Sequence, residues 1–128
     1  MKKVTEPYLL AFDMDGTLLN SKKKISFKTL HYLRKLTKQG HKIIIASGRP
    51  SRAIKAYYEQ LNLTTPVICY NGEYIFSPKD PNFKTVIHEI PKEAIIEITE
   101  KMKDKIINAM CESDTEIWVD KEDKFLAK

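Results

Sequence analysis

Apolar residues along this chain fall into short unbroken runs separated by stretches of helical periodicity. Tyr8-Leu9-Leu10-Ala11-Phe12 lies between Pro7 and Asp13, and an apolar run of this length predicts a strand covered on both faces. After a polar loop at residues 22–25, Ser26 precedes Phe27, Leu30, Leu33 and Leu36, which recur at the spacing of one helical face. Ser26 suits the N-cap because its hydroxyl accepts an otherwise unpaired first-turn N–H, and Gly40 suits the position just past the helix end. Lys42–Ala46 reads as a second buried strand, Pro50 as the first position of a helix through Tyr57 and Leu61, and residues 66–70 as a third strand closed by Asn71-Gly72. Strand and helix alternate, so the pattern predicts an α/β fold with a parallel sheet and right-handed crossovers.

From about residue 73 the texture changes. Tyr74-Ile75-Phe76, a turn at residues 77–82 and an extended stretch at 84–90 read as a two-strand excursion. Pro91 opens another helix, with Ile95, Ile98 and Met102 on one face, and residues 106–111 and 116–120 read as an antiparallel pair around Ser113-Asp114.

Composition narrows the class. The 128 residues bound the chain to about one domain's worth of core, and 42% hydrophobic with 30% charged residues excludes a disordered chain, as 4 Gly exclude a collagen-like one. No apolar stretch reaches the roughly 18 residues of a membrane helix. Met1-Lys2-Lys3-Val4 leads into Thr5, Glu6 and Pro7 rather than an apolar signal core, so a cytoplasmic location without membrane attachment is expected. Cys69 and Cys111 lie far apart without CxxC or Cys/His spacing, which indicates reduced thiols rather than a zinc site or a disulfide. The net charge of +5 favours anionic ligands, yet the lysines are scattered except for Lys22-Lys23-Lys24. Charge alone does not separate phosphate esters from nucleic acid; the chain carries no nucleic-acid recognition motif, and no nucleic-acid partner is expected.

The candidate chemistry sits at the strand ends. In an open parallel sheet, ligands bind outside the carboxyl ends of the strands, and here those ends read Asp13-Met14-Asp15-Gly16-Thr17, Ser47-Gly48-Arg49 and Asn71-Gly72. Residues two apart on an extended segment point the same way, so Asp13 and Asp15 face one crevice, with Gly16 permitting a sharp turn. Paired carboxylates require a cation or a proton to offset their repulsion, and Mg2+ suits them because it takes oxygen ligands and substrate phosphate. Ser47 and the amides of Gly48 and Arg49, ahead of a helix, suit an anion at a helix N-terminus, and Arg49 adds charge.

Phe12-Asp13-Met14-Asp15-Gly16-Thr17-Leu18-Leu19 resembles the first signature of the haloacid dehalogenase-like phosphatase superfamily. Ser47-Gly48-Arg49 is similar to its second motif, and Asn71-Gly72 resembles its Cof-type sugar-phosphate phosphatase branch. The resemblance implies a Rossmann-like core at residues 1–80, followed at 81–128 by the first part of an inserted α/β cap. It implies a Mg2+-dependent phosphatase of small phosphorylated metabolites, with Asp13 as the nucleophile that becomes aspartyl-phosphate and Asp15 as the acid and base. Asp13 and the backbone carbonyl of Asp15 would hold the metal, Ser47, Gly48 and Arg49 the phosphate, and Thr17, Asn71 and Gly72 would lie near the substrate. The family's lysine motif and second acidic motif are not found, which implies the N-terminal portion of a longer enzyme. The family's missing strands lie beside the first strand, so an exposed edge prone to self-association is expected.

Each feature also has a plain structural reading. Asp-x-Asp-Gly occurs as a turn, Ser47-Gly48-Arg49 as a strand-to-helix loop, Asn71-Gly72 as a turn pair and Lys22-Lys23-Lys24 as a solvated loop or a phosphate-steering patch. Trp118 and the tyrosines read as core or cap packing. A non-catalytic phosphate- or partner-binding module is the alternative function.

Overall fold

The computed structural model describes residues 6–113 and 115–122. The polar N-terminal segment Met1-Lys2-Lys3-Val4-Thr5, and Asp114 of the Ser113-Asp114 turn, lie outside the described residues. The chain divides into two compact units, the first ending at His88 and the second beginning at Glu89.

In the first unit, β1 (Leu9–Phe12), α1 (Phe27–Lys38), β2 (Lys42–Ala46), α2 (Ser51–Leu61) and β3 (Val67–Cys69) follow the predicted alternation. A short 3-10 turn, Tyr70–Gly72, leads into β4 (Tyr74–Phe76) and β5 (Val86–Ile87). The sheet order is β1-β2-β3-β4-β5. β1 and β3 both run parallel to β2, in a register that sets Phe12 against Ile45 and Ala46 against Ile68. β4 and β5 add to the same sheet in antiparallel fashion, so the segment after residue 73 begins as an extension of this sheet.

Local chemistry explains the helix starts. Ser26 is extended (φ −66°, ψ 150°) and its Oγ accepts the Thr29 N–H at 3.0 Å, removing one orphan donor of α1. Pro50 and Pro91 each sit one residue earlier than the pattern predicts, as N-caps with extended ψ of 158° and 136°. The fixed proline φ fits that position equally well, and the missing N–H costs nothing there.

Two expectations of burial fail, that of β1 and that of Trp118, Tyr8 and Tyr32, which are all more than half exposed. β1 was predicted to be buried on both faces, yet Leu9 is 66% exposed and Ala11 is also exposed, with Leu10 and Phe12 half-buried. The core instead gathers on one face of the sheet, where Ile43, Ile45, Val67 and Cys69 meet Leu33 of α1 and Ile54, Tyr58 and Leu61 of α2. Ile44 and Ile68, on the alternate positions, are only partly covered. Among the described residues β1 pairs with β2 alone, which places it at the edge of the described sheet.

The second unit contains α3 (Lys92–Lys101) and a hairpin of β6 (Met110–Glu112) and β7 (Ile117–Val119). Ser113 Oγ accepts the N–H groups of Thr115 and Glu116 at the turn, and Asn108 brackets Lys121 through both ends of its amide. α3 buries no residue fully; Ile98 on its apolar stripe is 60% exposed. Among the described residues no helix is long and apolar enough to cross a membrane.

Candidate functional site

The three parallel strands end on the same side of the sheet, so the residues that follow them meet there. After β1 the chain folds into a tight turn in which the Asp13 and Met14 carbonyls accept the N–H groups of Leu18 (3.1 Å) and Leu19 (2.8 Å). Met14 is fully buried and anchors the turn in the core, whereas Asp13, Asp15 and Thr17 are exposed. Gly16 turns the chain with φ +77°, a region that costs residues with a Cβ.

After β2, Ser47 is buried and held at both ends. Its N–H donates to the Ile68 carbonyl (2.9 Å) and its carbonyl accepts the Asn71 N–H (3.1 Å). Its Oγ accepts the Arg49 N–H at 3.2 Å, so this amide donor is occupied in the present arrangement while the hydroxyl keeps its own O–H to donate. The turn after β3 is strained: Tyr70 (φ +48°), Asn71 (+57°) and Gly72 (+110°) are successive left-handed residues, and such outliers concentrate at functional loops. Their reward is contact with the second loop. The Tyr70 N–H reaches the Arg49 carbonyl, and the Asn71 amide lies so close to Gly48 that a Cβ on Gly48 would stand 3.0 Å from Asn71 Oδ1. Gly48 is therefore a glycine of close approach.

Arg49 crosses to the first loop. Its Nε donates to Asp15 Oδ2 at 2.7 Å and its Nη2 to Oδ1 at 2.8 Å, a bidentate pair. Lys23 Nζ donates to the same Oδ1 at 2.5 Å. These cations, Arg49 first and Lys23 second, hold the Asp15 carboxyl well below the usual carboxylate range, and Asp15 in turn raises the Arg49 guanidinium. Asp13 differs from Asp15: among the described residues none donates a hydrogen bond to its side chain.

The structure thus joins Asp15 with Arg49, and Ser47 and Gly48 with Asn71. Thr17 makes no hydrogen bond to another described site residue. Sequence reasoning read Lys23 only as part of a solvated or phosphate-steering run, and gave Tyr57 no role at the site. Asn20 Oδ1 accepts the N–H groups of Lys22 and Lys24, and the Tyr57 hydroxyl donates to the Lys23 carbonyl at 2.8 Å. The Asn20 turn was the available signal, since asparagine two residues ahead of a lysine run favours such a loop.

No group of three or more His, Cys, Asp or Glu side chains that would hold a metal is present among the described residues. With the Asp15 carboxylate taken by two cations, the Asp13 carboxylate and the Asp15 backbone carbonyl are the oxygens that remain, which fits a hard cation that keeps most of its water. A cleft of about 780 Å³ beside α1 and the end of α2, with Phe27, Leu30, Arg34 and Leu61 in its lining, includes none of these residues.

A family model described as haloacid dehalogenase-like hydrolase matches residues 10–128. The chain is 38% identical over 96 residues to the 5-amino-6-(5-phospho-D-ribitylamino)uracil phosphatase YitU of Bacillus subtilis, covering 75% of this chain and 36% of that protein. It is 38% identical over 87 residues to the pyridoxal phosphate phosphatase YbhA of Escherichia coli, covering 68% and 31%. Among solved structures, a haloacid dehalogenase-like hydrolase from Bacteroides thetaiotaomicron superposes with a TM-score of 0.75 at 26% identity, over 91% of this chain and 44% of that one. The chain spans about a third of the length of these curated relatives. With its Asp-x-Asp turn after β1 and its Ser-Gly-Arg loop after β2 on a matching fold, the chain belongs to the haloacid dehalogenase-like hydrolase family.

Proposed function

We propose that these strand-end loops form the nucleophile half of a Mg2+-dependent phosphatase of the Cof-type branch, acting on a small phosphorylated metabolite. The observation that carries the reading is the convergence of an exposed Asp13, an Arg49-paired Asp15 and the Ser47-Gly48 loop at the carboxyl ends of adjacent parallel strands. The names of two relatives, phosphatases of a phosphoribityl uracil and of pyridoxal phosphate, support a small phosphate ester as substrate.

In this reading an Asp13 carboxylate oxygen attacks phosphorus; the bond from phosphorus to the ester oxygen breaks, and the departing oxygen takes a proton from Asp15. Water then attacks the aspartyl-phosphate, Asp15 receives its proton, and phosphate leaves with the Asp13 carboxylate restored. Asp15 stands ionised in the resting site, the form needed for the second step, so the first step requires it to gain a proton while Arg49 and Lys23 loosen. The Gly48 N–H supplies a donor for a phosphoryl oxygen beside the start of α2. A Mg2+ ion on the Asp13 carboxylate and the Asp15 carbonyl would offset the charge repelling the nucleophile from the phosphoryl oxygens.

The test is hydrolysis of p-nitrophenyl phosphate by the complete gene product, with and without Mg2+. Asp13→Asn is expected to remove turnover while the circular dichroism spectrum is unchanged; substantial turnover in that variant overturns the nucleophile assignment. Orthophosphate binding without any turnover in the parent protein would favour a phosphate-binding module instead.

A further inference from the structure

Lys23 occupies a backbone position built at some expense. It is a non-glycine residue with φ +55°, held there by its own N–H to the Asn20 carbonyl (2.9 Å), by Asn20 Oδ1 on both neighbouring amides, and by the Tyr57 hydroxyl on its carbonyl. The visible result is one ion pair with Asp15. The Lys23 side chain is 63% exposed, and a pair this exposed adds little to stability. Asp15 does not need it, since Arg49 alone engages both carboxylate oxygens. A single carboxylate against two cations leaves one positive charge over, at the solvent side of the loop.

We infer that Lys23 is a specificity-determining residue, whose ammonium receives a second anionic group carried on the leaving portion of the phosphate ester. The inference rests on the phosphatase reading, in which Asp15 works on the ester oxygen. Lys23 bonds Asp15 directly, so it stands beside the leaving group rather than behind the transferred phosphoryl group. An ammonium on a flexible, exposed stem can turn from Asp15 to a ligand carboxylate or second phosphate while Arg49 keeps Asp15 in place. Substrates with an acidic group close to the ester are therefore favoured over those with a neutral leaving group.

The test compares phosphoglycolate with ethyl phosphate by calorimetric titration of the 128-residue chain in Mg2+ buffer. The two differ in carrying or lacking a carboxylate next to the ester. The parent chain is expected to bind phosphoglycolate about tenfold more tightly. Lys23→Met should bring that ratio to about one, and Lys23→Arg should keep most of the preference. Lys24→Met removes the same charge from the adjacent position and should keep the preference in full. A ratio near one in the parent chain, a ratio unmoved by Lys23→Met, or equal loss in Lys24→Met overturns the inference and leaves the phosphatase reading standing. Failure of both esters to bind the parent chain overturns the inference, and the phosphatase reading is then decided separately by the p-nitrophenyl phosphate assay.

Discussion

Replacing Ile45 and Leu9 by alanine tests the asymmetry of the sheet. Ile45 is wholly buried at the centre of β2, between Phe12 and Val67, whereas Leu9 on β1 is 66% exposed. Each substitution deletes three carbons. At about 0.8 kcal/mol per buried methylene the transfer loss at Ile45 is about 2.4 kcal/mol, and the cavity left under α1 and α2 raises it to about 3–4 kcal/mol. At Leu9 about a third of the same transfer loss applies and no cavity forms, giving about 0.8 kcal/mol. With a urea slope of about 1.5 kcal/mol/M, midpoints should fall by about 2 M for Ile45→Ala and about 0.5 M for Leu9→Ala. Urea titrations followed by circular dichroism, at two protein concentrations a decade apart, read both values. Equal losses at the two positions would refute the one-sided core. If the midpoint of the parent chain rises with concentration and that rise disappears in Leu9→Ala, a second copy covers β1 in solution.

Arg49→Met should raise the titration midpoint of Asp15, followed by carboxyl carbon NMR, towards the ordinary value of about 3.9. Because the folded-state value is depressed, the pairing stabilises the chain above that unfolded value and is lost as pH falls through the folded one; an Asp15 midpoint unchanged by Arg49→Met would refute the assigned cause. Ser26→Ala should cost about 1 kcal/mol in chemical denaturation by orphaning the Thr29 N–H, and no loss would show that the cap is not felt in solution. Gly48→Ala forces the Asn71 side chain aside by a few tenths of an ångström, so the Asn71 side-chain amide resonances should shift while those of Asn62, at the far end of α2, stay in place.

The order of elements was legible because its causes are local. The helical spacing from Phe27 to Leu36, the Ser26 cap and the apolar runs before Asp13 and Ser47 follow from side-chain period and capping chemistry. The open face of β1 was not, since whether Leu9 and Ala11 are covered depends on which side of the sheet α1 and α2 choose, and an all-apolar run reads the same either way. The grouping of Asp15, Ser47, Gly48 and Arg49 at strand ends was legible from the topology. The bidentate contact of Arg49 on Asp15 was not: Arg49 was assigned to phosphate, and reach between two loops is set by β1–β2 register. Lys23 was harder still, because its role depends on a left-handed backbone and a hydroxyl from α2.

The one-sided pairing of β1 bears on how this unit opens. Among the described residues, the strand that carries Asp13 is secured on one side only, through its pairing with β2, the Lys42 N–H to the Tyr8 carbonyl and the Tyr8 N–H to His41 Nδ1. Ser47 and Asn71, by contrast, are tied to each other at the ends of the inner strands. Local opening free energies follow such differences in support, so β1 should detach at less cost than the β2–β3 centre, taking Asp13 away from an otherwise folded Ser47-Gly48 loop. Detachment of β1 and unfolding of this unit would then be separate events, with the first governed by the bonds that hold Tyr8 to Phe12. A ligand that bridges Asp13 and the Gly48 loop would hold β1 in place by mass action, and substitutions that fasten β1 would suppress this local opening more than any improvement of the core.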